Sequence, residues 1–94
     1  MPIRIICCLP AQEAYAAEIA GILSSNTIAH SYNQDYNQPF GNRIGSDVAD
    51  ASIVLSIGSI DLENNQVVLR KKNHVETVPR EQMIGRLQVL LAEP

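Results

Sequence analysis

The chain has 94 residues, 46% apolar and 18% charged, with two cysteines, two histidines and a net charge of −3. That length supports a single core, hence one domain over residues 1–94, and the composition excludes a disordered chain. No apolar run approaches the ~20 residues that cross a bilayer, and seven basic side chains are too few for strong sequence-independent binding to a polyanion.

Ile3–Leu9 is a run of branched and apolar residues ending at Pro10, which predicts a buried first strand. It resembles a secretory signal only briefly: the run breaks at Pro10 and no small-residue cleavage pattern follows, so a cytoplasmic or organelle-matrix location is expected, with cytoplasmic the default. Cys7 and Cys8 are adjacent and point to opposite faces of a strand, which predicts two reduced thiols packed as small apolar residues. Neither they nor His30 and His74 have metal-ligand spacing, and no metal or cofactor is expected.

Ala11–Ser24 places Tyr15, Ile19, Ile22 and Leu23 at helical spacing, with Asn26 as a stop. Thr27–Tyr32 predicts a second strand and Asn33–Pro39 a polar loop. Gly41–Ala51 predicts a helix with Ile44, Val48 and Ala51 inward and Asp47 and Asp50 turned away. Ser52–Gly58 reads as a central strand. Asp61 and Glu63 are expected as solvated carboxylates beside a hairpin turn at Asn64-Asn65, which tolerates left-handed backbone. Gln66–Lys72 would be the return strand, Glu76–Val78 a short fifth, and Pro79 the opening of a last helix with Met83, Ile84, Leu87, Leu90 and Leu91 inward. The order β-α-β-α-β-β-β-α predicts an α/β fold: a single three-layer domain whose mixed five-stranded sheet is flanked by three helices.

Catalytic signatures are missing: there is no nucleophile elbow, phosphate loop or dinucleotide fingerprint, and no enzyme activity is expected from the chain by itself. Gly41 to Gly45 opens a helix whose backbone N–H groups suit an anion, but that spacing is common. Base binding is better supported. Of four aromatic residues, Tyr32, Tyr36 and Phe40 fall within nine positions and alternate with Asn33, Gln34, Asn37 and Gln38. Unpaired RNA bases are read by stacking on rings and by amide hydrogen bonds to base edges; the alternative is that one or two rings only anchor the loop. Arg70-Lys71-Lys72 is the one basic cluster, sending Arg70 and Lys72 to one face of a strand. It serves either as a charged edge that resists aggregation or as a donor to RNA, with Asp61 nearby across the hairpin. Residues 1–50 carry two basic and five acidic side chains, so any discrimination must come from base contacts.

These residues resemble the anticodon-binding domain shared by the histidyl, glycyl, threonyl and prolyl class II aminoacyl-tRNA synthetases. A strand closed by proline, Asn37 before Gly41-Asn42-Arg43-Ile44, Gly58 followed by Asp61, and Val67-Val68-Leu69-Arg70 look most similar to the threonyl group. That resemblance implies a tRNA anticodon loop as partner, with a synthetase catalytic domain or a second copy as further partners and no membrane. It carries Asn37, Asp61 and Arg70 over as anticodon contacts; the family's helix arginine falls at Gly45, with Arg43 one turn earlier. The expected RNA-binding set is Tyr36, Asn37, Arg43, Asp61, Arg70 and Lys72. The alternative function is a protein-interaction or dimerisation module that keeps the fold without reading RNA.

Overall fold

The structure, a computed structural model, describes residues 3–72 and 74–92, and the side chain of Asp50 lies outside the described set. Five strands form one sheet: β1 (Ile3–Cys7), β2 (His30–Asn33), β3 (Ile53–Ile57), β4 (Gln66–Lys71) and β5 (His74–Pro79). Their spatial order is β2-β1-β3-β4-β5. The first three are parallel, while β4 and β5 are antiparallel to their neighbours. The helices are α1 (Glu13–Ser25), α2 (Phe40–Asp50), α3 (Ser59–Glu63) and α4 (Met83–Ala92), with 3-10 turns before α1 and α4.

Alternation along the strands divides the sheet into two faces. Ile3, Ile5, Ile53, Leu55, Ile57, Val67 and Leu69 join Tyr15, Ile19 and Leu23 of α1 and Met83, Leu87 and Leu90 of α4 in one core cluster. The opposite face carries Arg4, Ile6, Val54, Ser56, Val68 and Arg70, and α2 packs across its β1–β3 part. Every residue of β3 is buried, as a central strand covered on both sides requires.

The fold class is the expected one, with local differences. The stretch after Gly58 is the short helix α3 and not a hairpin turn, so the described residues hold four α-helices where three were expected. The left-handed residue foreseen there is Asn65, with φ 52°. Asp47 is turned inward, not outward: it is buried, accepts from Asn33 Nδ2 at 2.7 Å and lies 3.5 Å from Arg4 Nη1. An apolar-stripe reading of α2 misses this because the sheet beneath it carries charge.

Candidate nucleic-acid interface

The C-terminal ends of the parallel strands β1, β2 and β3 meet at one edge of the molecule, where the loops that follow them must satisfy the exposed backbone N–H groups. Gln12 accepts from Leu9 N at 2.6 Å after β1, and Asp61 accepts from Gly58 N at 2.7 Å after β3. The other Asp61 oxygen accepts from Gln66 Nε2 at 2.8 Å. Asp61 is thus buried and committed on both oxygens. The expected solvated carboxylate is a helix cap, because α3 brings its side chain back under Gly58.

Arg43 is also buried. Its Nη2 donates to Cys8 O at 3.1 Å, and its guanidinium lies over the rings of Tyr36 and Phe40, 5.1 and 5.7 Å from their centroids. It ties the start of α2 to the end of β1, and two of the three clustered aromatics flank that tie. No carboxylate among the described residues pairs with it.

Helix α2 covers only half of its sheet face. Asn42 and Ser46, on one flank, share a cleft with Asn33 of β2. At 100° per residue, Gly41 and Gly45 fall on the opposite flank, toward β4. A methyl group at either glycine would meet no atom within 4 Å. Beyond that smooth flank lies the uncovered surface of β4 and β5, formed by Val68, Arg70, Val75 and Thr77. Val75 is 57% exposed. Arg70 Nε donates to Ser56 Oγ at 3.1 Å, and its two Nη groups have no partner among the described residues. The guanidinium is held at one nitrogen and open at two, which suits a planar acceptor.

The expected set is therefore not one patch. Arg70 lies on the open sheet face, on an interior strand and not at a sheet edge. Gln66, which holds Asp61, sits four residues away along β4, about 13 Å. Lys72 is exposed just past the far end of β4, and Asn37 is exposed in the loop before α2. Tyr36 faces the other way: its hydroxyl donates to Glu13 Oε1 of α1 at 2.8 Å. Burial, then that hydrogen bond, pushes its pKa up to about 12. Tyr32 and Gln34 share its side of β2, around a cleft of about 140 Å³. The open-face residues Val68, Val75 and Thr77 were not singled out by sequence; the alternation Val68-x-Arg70 and Val75-x-Thr77 was the available signal. Among the described residues there is no metal-ligating cluster and no helix long and apolar enough to cross a membrane.

No protein-family model and no curated protein matches the chain. Solved structures do. Prolyl-tRNA synthetase from Cryptosporidium parvum, complexed with halofuginone and AMPPNP, matches 97% of this chain with TM-score 0.86 at 15% identity. The RNA binding domain of threonyl-tRNA synthetase from Cryptosporidium parvum Iowa II matches 94% with TM-score 0.81, also at 15% identity. The chain spans only 20% and 23% of the length of those two chains. What is shared is the fold, the one implied by the resemblance to the class II synthetase anticodon-binding domain.

Proposed function

We propose that this chain is a tRNA-reading module of the class II synthetase type, threonyl-like, either joined to a synthetase or acting as a free-standing relative. It supplies recognition and no chemistry of its own. The observation that carries this reading is the shared fold over 94% of the chain with a domain named for RNA binding. Unpaired anticodon bases lie on the uncovered face of β4 and β5, against Val68 and Val75, with the free Nη groups of Arg70 donating to a base edge. Asn37 contributes an amide from the neighbouring loop, and Lys72 meets a phosphate at the far end of β4. Asp61 and Arg43 act by fixing α3 and the loop before α2. Tyr36 serves the surface behind β2.

Few contacts and a net charge of −3 predict micromolar or weaker binding. A fluorescence-anisotropy titration at low salt compares a threonine tRNA transcript with one of altered anticodon. The reading predicts about tenfold weaker binding of the altered tRNA; equal affinities remove it. Arg70→Ala is expected to lose about 5- to 150-fold, from ~1–3 kcal/mol per base contact.

A protein-interaction module is the second reading, favoured by the edge strand β5 and its exposed Val75. Sedimentation showing a dimer that tRNA does not dissociate would select it.

A further inference from the structure

The cleft between α1 and β2 lies on the opposite side of the sheet from Arg70 and has the shape and chemistry of a small-ligand site. Its floor is apolar and closed: Ile5, Cys7 and Ala16 are all buried. Burial pushes the Cys7 thiol up to about 11, so the floor stays uncharged at neutral pH. Ala17, Tyr32 and Tyr36 form the walls, and the alanines leave the room that longer side chains would fill. At about 140 Å³ the space compares with the ~150 Å³ cavity that takes a benzene ring. One six-membered ring fills that space.

The mouth sets the polarity. Glu13 Oε1 accepts from Tyr36 Oη at 2.8 Å and from Gln34 Nε2 at 3.4 Å. Both bonds go to the same oxygen, which fixes the carboxylate and leaves Oε2 uncommitted among the described residues. An ionised carboxylate only accepts, so the ring must bring a donor to it. An exocyclic amino group does so from the rim of the ring, whereas the ring N–H of a uracil lies between two carbonyl oxygens that the carboxylate repels.

We propose that this cleft binds an aminopyrimidine ring, the cytosine type of base, with its amino group on Glu13 Oε2 and its faces against Tyr32 and Tyr36. The inference rests on the tRNA reading only for the source of the base, an unpaired nucleotide in RNA rather than a free nucleoside. It makes the module two-sided, with one base site on each face of the sheet.

The test is an NMR titration of the whole chain with cytidine and with uridine. The backbone resonances of Ala16, Ala17 and Gln34 are expected to shift with cytidine, with a Kd on the order of a millimolar and about tenfold weaker binding of uridine. Ala17→Leu, which fills the cleft from an exposed helix position, should abolish the shifts without unfolding the chain. Glu13→Gln, whose amide can donate as well as accept, should narrow or reverse the cytidine preference. No shifts with cytidine at about 10 mM, shifts elsewhere, or equal binding of uridine overturns the inference. The tRNA titration separates the sources. If cytidine is silent and tRNA binds Ala17→Leu normally, the cleft falls and the RNA reading stands. If cytidine binds at the cleft and tRNA does not bind, the cleft is a nucleoside site and the RNA reading falls.

Discussion

Two hydrogen bonds make Asp61 a structural residue first. Asp61→Ala strands the Gly58 N–H and the Gln66 amide, and should cost about 1–2 kcal/mol in urea unfolding. An unchanged midpoint would mean that water replaces the cap without loss. Thr27 makes the opposite case. Helix α1 ends with Ile28 N donating to Leu23 O and Thr27 N to Ser24 O, a pattern that places its left-handed residue at Thr27, φ 58°. A β-branched side chain is strained there. Thr27→Gly should therefore stabilise the chain by up to ~1 kcal/mol, read in the same experiment. The adjacent thiols differ by burial: Cys7 is enclosed and its pKa is raised by burial and by Glu13, while Cys8 is half-exposed. A thiol reagent at pH 8 should label Cys8 first and Cys7 only as the chain unfolds.

Among the elements, β5 and α2 depend most on charge. Glu76 of β5 receives both Nε and Nη2 of Arg86 from α4 at 2.7 Å, with His74 Nε2 at 2.9 Å. The Arg86 hydrogen bonds hold its carboxyl at about 2, against 4.5 ordinarily. A carboxylate depressed in the folded state adds stability above pH 4.5 that is lost as pH falls through about 2. Arg86→Ala should flatten that acid limb, most visibly between those two values, and move the Glu76 titration upward in carbon-detected NMR. The strands β1, β3 and β4 and most of the α1 and α4 stripes were legible in the sequence because apolar periodicity reports burial. By contrast, β2 starts at His30 and not at Thr27, which belongs to the turn ending α1, and Leu91, expected inward, is exposed. The residues after Gly58 and the inner face of α2 were not legible. There the deciding partners, Gln66 for Asp61 and Arg4 and Asn33 for Asp47, lie on other strands. Periodicity carries no record of such pairings.

On the scale of the whole molecule, one helix spread over a five-stranded sheet leaves β4 and β5 bare on one side, beside a glycine flank with room to grow. At Gly45 an added Cβ meets no atom within 4 Å, so Gly45→Arg removes a helix glycine worth about 1 kcal/mol and adds a cation on an exposed position of α2. Stability should rise and tRNA affinity increase severalfold, while Gly45→Ala should raise stability alone. Motif order along the chain identified the fold, since the strands follow it closely. It grouped Tyr36, Asp61 and Arg70 as one site, but their partners draw them apart: Tyr36 turns to Glu13 of α1, Asp61 caps Gly58 at the start of α3, and Arg70 leans on Ser56 on the other face of the sheet. The central claim is that RNA lies on the bare half of the sheet. Amide chemical shifts on addition of a seventeen-nucleotide anticodon stem-loop, a length of about 17 chosen to present unpaired bases, test it most directly. The account predicts perturbations at Val68, Arg70, Val75, Thr77 and the Gly41–Gly45 flank, weakened by Arg70→Ala. Perturbations confined to the exposed faces of α1 and α4, or none at all, would contradict it.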